Sequence, residues 1–152
     1  MDSIYHFYYI SDKLACSGQP TEEQLTRLAT LNYTCIINLG LLHQKYSLPD
    51  ESSLVQSLGM RYIHLPVSFE NPTMEDLQNF LAVMSEMKDE KILVHCAANY
   101  RASCFLHLYL FYTNAIEAAD IDNAVLNVWQ PNSVWQHFME EGIRYINHLH
   151  EN

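Results

Sequence analysis

Apolar positions fall into two rhythms along this chain. Short runs without interruption by Pro or Gly recur through the first two-thirds, and between them apolar residues return every three or four positions. The run Ile92-Leu93-Val94 is apolar at every position, as in a strand covered on both faces inside a parallel sheet. Tyr33 to Leu39 has the same character and is also predicted to be central. Tyr5 to Ile10 is aromatic and β-branched and is predicted as an edge strand. Leu14 to Ser17 reads as a second short strand ended by Gly18, and Met60 to Leu65 as another, ended by Pro66. Helical signals separate them. Thr21-Glu22-Glu23-Gln24 is a capping box, followed by Leu25, Leu28 and Leu31 at helical spacing. Pro49-Asp50-Glu51 resembles a helix first turn, with Gly59 as its stop. Thr73 caps a helix to about Lys88 that carries Leu77, Phe80, Leu81 and Met84 on one face. Ala102 to Tyr112 is apolar almost all round, so this helix should be buried. Ile116 to Trp129 and Ser133 to His150 are two further helices, broken at Pro131-Asn132. Gly40 to Leu48 and Ser68 to Pro72 are loops.

Strands alternating with helices, then helices alone, predict the α/β class: a mainly parallel central sheet flanked by helices, with a helical C-terminal part. No repeat, linker or low-complexity segment divides residues 1–152, so a single domain is expected. Its 152 residues are 49% apolar with only four Gly and five Pro, a globular rather than a disordered composition. No apolar run is long enough to span a membrane. No basic-then-apolar leader opens the chain, so a cytoplasmic location is expected, with a periplasmic one open if a leader was removed. The net charge of −10 argues against nucleic acid as a partner. Cys16, Cys35, Cys96 and Cys104 have no CxxC spacing and read as separate thiols. The eight histidines include no HxxxH pair, and no metal or other cofactor is expected. The aromatic run Tyr5 to Tyr9 and the pair Trp129 and Trp135 are assigned to the core.

The chemistry concentrates where the central run ends. From Lys91 to Ile116 there is no Asp or Glu, while Arg101 lies inside that window. Cys96 leaves the strand, and a six-residue stretch from Cys96 to Arg101 leads into the buried helix. A helix start offers unpaired N–H groups and a positive dipole end, so this is a place to hold an anion. The amides of Ala97, Ala98, Asn99, Tyr100 and Arg101 could converge on a tetrahedral oxyanion, with Arg101 adding a charge-assisted contact. The same donors would favour a thiolate at Cys96. Such a turn needs one residue with positive φ, and Asn99 is the best non-glycine choice. Read alone, Cys96 is better taken as a buried structural thiol, and the second reading of Arg101 is a helix-start charge paired with a carboxylate.

VHCAANYRAS resembles the signature loop of the cysteine-dependent protein tyrosine phosphatase superfamily. More closely, the chain is similar to the small bacterial dual-specificity-like branch related to beta-lactamase-hydrolase-like phosphatases. The likeness runs from about residue 12 to 115, through Ser17-Gly18-Gln19-Pro20, Ile36-Ile37-Asn38-Leu39, Gly59-Met60-Arg61-Tyr62, Ile63-His64-Leu65-Pro66 and Pro72-Thr73.

The resemblance implies hydrolysis of phosphate monoesters of a phosphorylated protein or small molecule, with phosphate or sulfate able to occupy the loop. Cys96 would carry a phosphocysteine, Arg101 and the loop amides would hold the oxygens, an acid would protonate the leaving oxygen, and water would release phosphate. His95 would shape the loop and Ser103 would reach the Cys96 sulfur. The chain departs from the family pattern in several places. Four residues separate Cys96 from Arg101 instead of five, Asn99 replaces a glycine, and Ala102 stands where a hydroxyl residue is usual. The loop Pro66-Val67-Ser68-Phe69-Glu70 lacks the Asp that normally serves as acid. Glu70 is the nearest carboxylate and Asp50 the candidate from another loop. Two other functions fit the same loop: a binding module that holds phosphate without turnover, and a rhodanese-like sulfurtransferase, whose loops are likewise a residue shorter. The Ser-Gly-Gln-Pro element and the helical tail favour the phosphatase.

Overall fold

The computed structural model describes residues 3–151. Five strands form one sheet: β1 Tyr8–Ser11, β2 Leu14–Ser17, β3 Cys35–Asn38, β4 Arg61–His64 and β5 Ile92–His95. Their spatial order is β1-β2-β5-β3-β4, with β1 antiparallel to β2 and every other pairing parallel. The strand read as central is therefore the middle one, and all four of its residues are buried.

Side chains on successive strand positions point to opposite faces, which explains why the runs are apolar without alternation. Ile92 and Val94 of β5, with Cys35 and Ile37 of β3, face one layer, while Leu93, Ile36 and Ala15 face the other. The first layer holds α3 (Met74–Glu86), α4 (Tyr100–Tyr112), α5 (Ala118–Leu126) and α6 (Ser133–His150). It buries Leu77, Phe80, Leu81 and Met84 together with Phe105, Trp135 and Phe138. The second layer holds α1 (Glu22–Thr30) and α2 (Glu51–Ser57), which contribute Leu25, Leu28 and Val55.

Local signals set the helix ends. Thr21 and Thr73 both form complete capping boxes, and the Asn132 side chain accepts from the N–H of Trp135. Gly59 takes φ +84° just after α2, where a side chain would be strained.

Two expectations need correction. The first strand begins at Tyr8, because Ile4 to Phe7 closes a turn (Phe7 N–H to Ile4 O, 3.0 Å) with His6 at φ +50°. The aromatic run is also not all core. Tyr5 and Tyr9 are 56% and 57% exposed, since one lies in that turn and the other faces outward on the edge strand. Trp135 is fully buried, whereas Trp129 is half-buried.

Candidate active site

The loop leaves the C-terminal end of the central strand. Asn99 is the residue at positive φ (+69°) and immediately precedes α4, so the four-residue spacing places Tyr100 and Arg101 in the first helical turn. The first carbonyl-to-amide bond of that turn runs from Ser103 N–H to Asn99 O at 3.0 Å. Among the described residues, no carbonyl takes up the N–H groups of Ala97, Ala98, Tyr100 or Arg101. The loop carbonyls, by contrast, are held from outside. Ala97 O accepts from Gln19 N–H at 3.0 Å, and Ala98 O lies 2.9 Å from His6 Nδ1. Asn99 Nδ2 returns a bond to His6 O at 2.9 Å. Gly18 makes this clamp possible, because a Cβ there would stand 2.6 Å from Ala97 O. The Ser-Gly-Gln-Pro element is thus the outer brace of the loop. A cavity of about 540 Å³ opens beside it, bordered by Tyr5, Gln19, Tyr46 and Ala97.

Arg101 is 5% exposed. Its Nη1 donates to Val67 O at 2.9 Å, and the guanidinium lies 5.9 Å from the Tyr46 ring centre and 6.0 Å from that of Phe69. Among the described residues it pairs with no carboxylate. A buried cation without a counter-ion is costly, and one carbonyl with two ring faces satisfies it only in part. This is the state expected of a group that waits for an anion. Both rings are fixed. Tyr46 Oη accepts from Leu41 N–H at 2.8 Å, and Phe69 O accepts from Trp135 Nε1 at 2.9 Å. Tyr100 stacks on Trp129, with centroids 4.4 Å apart and planes 6° apart.

His95, just before Cys96, is fully buried. Its Nε2 is 2.6 Å from Glu51 Oε2, and its Nδ1 is 3.3 Å from Cys96 O. Glu51 is itself 3% exposed and accepts from Gln19 Nε2 at 2.7 Å. Burial alone would raise the Glu51 carboxyl. The hydrogen bond and charge of His95, with the Gln19 amide and His64, outweigh it and hold the carboxyl below its ordinary value.

The remaining candidates are placed as follows. Cys96 is buried at 1% exposure, and its N–H donates to Ser17 O at 3.3 Å. Ser103 Oγ donates to Tyr100 O at 3.1 Å. Glu70 is exposed, next to Phe69, with the Ser68 hydroxyl 3.4 Å from its Oε2. Asp50 is exposed at the start of α2, with φ +57°. Burial pushes the Cys16 thiol up to about 12 and Cys35 up to about 11, and it raises Cys104 further. All three are inert core thiols at neutral pH. Among the described residues, no cluster of three or more His, Cys, Asp or Glu is arranged to hold a metal ion, and no helix is long and apolar enough to cross a membrane.

A family model described as a DSP-PTPase phosphatase fused to NAD+ kinase matches residues 11–142. The chain belongs to this DSP-PTPase family. Similarity to individual proteins agrees. A DUF442-group protein from Shewanella putrefaciens CN-32, assigned as a phosphatase, is 32% identical over 95% of both chains with a TM-score of 0.88. A beta-lactamase hydrolase-like protein of Xylella fastidiosa is 30% identical over 96 residues, 61% of this chain. The chain spans 22% of the length of that relative. Tk-PTP in its active form is 21% identical, covers 93% of this chain and superposes with a TM-score of 0.73, sharing the fold. The DSP-PTPase assignment accounts for the parallel sheet, the strand-to-helix loop and the helical tail together.

Sequence reasoning missed Glu51, Val67, Tyr46 and His6. Glu51 had one legible signal. It stands four residues before Val55, on the face that packs inward, and a carboxylate on such a face needs a partner. Val67 acts through its carbonyl, so it is not identified by residue type, and His6, which uses both its ring Nδ1 and its carbonyl, lies more than 90 positions from the loop.

Proposed function

We propose that the chain hydrolyses phosphate monoesters in two steps through a phosphocysteine on Cys96. The observation that carries this reading is the buried guanidinium of Arg101, which among the described residues meets no carboxylate, in the same turn as four backbone amides that no described carbonyl takes up. Membership of the DSP-PTPase family supports it. In the first step Cys96 Sγ bonds to phosphorus and the ester P–O bond breaks. The Arg101 side chain and the amides of Ala97, Ala98, Tyr100 and Arg101 bear the charge on the oxygens that do not leave. The leaving oxygen takes a proton from Glu70, which neighbours the Phe69 ring lying over Arg101. Water then attacks phosphorus, the S–P bond breaks, and inorganic phosphate departs. The substrate is a phosphorylated protein or small molecule, and phosphate or sulfate is expected to bind in the loop.

The test is phosphate release from para-nitrophenyl phosphate by the purified chain. Activity should vanish in Cys96→Ser and be blocked by vanadate. No release from acidic to neutral pH overturns the proposal. Glu70→Gln should slow an alkyl phosphate more than the nitrophenyl ester, whose leaving group needs little protonation. Equal effects on both esters would move the acid role elsewhere, with Asp50 next in line.

A further inference from the structure

Four of the hydrogen bonds around Cys96 share their residues, and together they close a ring. Gln19 N–H donates to Ala97 O (3.0 Å), and Gln19 Nε2 donates to Glu51 Oε1 (2.7 Å). Glu51 Oε2 meets His95 Nε2 (2.6 Å), and His95 Nδ1 meets Cys96 O (3.3 Å). Cys96 and Ala97 are bonded neighbours, so the circuit is complete. It joins three separate pieces of chain: the turn after β2, the first residue of α2, and the end of β5. Its central pair is buried, with His95 at 0% and Glu51 at 3% exposure.

Both ring nitrogens of His95 face acceptors, a carboxylate oxygen and a carbonyl oxygen. Glu51 gives this buried ring a polar partner in the interior. Its carboxylate has one oxygen for His95 and the other for Gln19, and each bond fixes its direction. His64 and Tyr62, on β4, also interact electrostatically with Glu51. His64 is engaged with Gly40 O at 2.7 Å, and Tyr62 Oη accepts from Asn38 Nδ2 at 3.0 Å, so neither replaces His95 as partner.

We infer that Glu51 is a positioning residue for the nucleophile, acting through His95 to fix the peptide of Cys96 and braced in turn by Gln19. This inference rests on the proposed reading of Cys96 as the reacting group. Glu51 acts on the loop through His95 and Gln19, so its loss should lower the rate at Cys96 and leave substrate binding nearly as it was. A misplacement of reacting groups by about 1 Å is enough for a roughly 100-fold loss.

The experiment compares wild type, Glu51→Gln and Glu51→Asp by two rates and one fold check. The first rate is kcat and KM for para-nitrophenyl phosphate. The second is alkylation of Cys96 by iodoacetamide, with Cys96→Ser as blank. Circular dichroism reports folding. The expected result for folded Glu51→Gln is a kcat lowered roughly 10- to 100-fold with KM little changed, slower alkylation, and partial recovery of both rates in Glu51→Asp. A folded Glu51→Gln with both rates at wild-type level overturns the inference and leaves the phosphatase reading standing. If Glu51→Gln does not fold, Gln19→Met decides by the same two rates, since it removes the brace and keeps the His95 pair. If wild type releases no phosphate while alkylation still depends on Glu51, the phosphatase reading falls and the positioning role stands.

Discussion

Arg101 differs from an ordinary helix-start arginine in what it lacks among the described residues, a carboxylate, and in what it has, two ring faces and one carbonyl. A lysine has no planar fork to hold Val67 O and an oxyanion together. Arg101→Lys should therefore lower kcat/KM for an aryl phosphate by roughly 100- to 1,000-fold, the usual loss when one oxyanion donor goes. A loss below tenfold would mean that the backbone amides suffice. Gly18 makes a second prediction at this scale. A methyl group there meets the Ala97 carbonyl at 2.6 Å, which is backbone and cannot swing away. Gly18→Ala should lower phosphate affinity, measured by calorimetry, because the loop itself must move. The positive φ of Asn99 was legible, since few residue types accept that geometry. The Glu51–His95 bond was not legible, because 44 residues separate the partners and no spacing rule connects them.

The helices show most clearly what local chemistry decides. Thr21, Thr73 and Asn132 sit where capping places them, and α6 runs from Ser133 to His150 as its periodicity requires. Thr73→Ala removes the capping box of α3 and should cost about 1 kcal/mol, or roughly 2–4 °C in Tm. KM should stay unchanged, since α3 packs Leu77, Phe80, Leu81 and Met84 into the core and supplies none of the loop residues described above. A change in KM without a change in Tm would contradict this. The first strand was less legible than the helices. Its aromatic and β-branched residues have strand character throughout, yet Ile4 to Phe7 turns away to reach the loop at Ala98 and Asn99. A tertiary contact spanning more than 90 positions overrode local preference there.

For the molecule as a whole, the sequence foretold the layers and the parallel class but not the strand order. Uninterrupted apolar runs signal burial on both faces, and both faces are indeed covered. Which strand lies beside which depends on contacts that no local pattern encodes. Global stability should carry the mark of the buried pair. The folded-state value of the Glu51 carboxyl is below its ordinary 4.5, so its stabilisation is fully present above that value. The stabilisation is lost as pH falls through the lower, folded-state value. The Tm difference between wild type and Glu51→Ala should therefore be widest near neutrality. Breaking such a pair costs about 3–5 kcal/mol there, and the gap should shrink steadily under acid. A gap independent of pH would mean that the charge of Glu51 does not contribute.

The order β1-β2-β5-β3-β4 places the last strand of the chain between two earlier ones. During synthesis, β2 and β3 have no common neighbour until residues 92–95 have emerged, so neither can close its edge before then. The strand that leads into the loop at Cys96 is also the keystone of the sheet. Any fragment ending ahead of it should be left with two further bare edges, those of β2 and β3, and a tendency to aggregate.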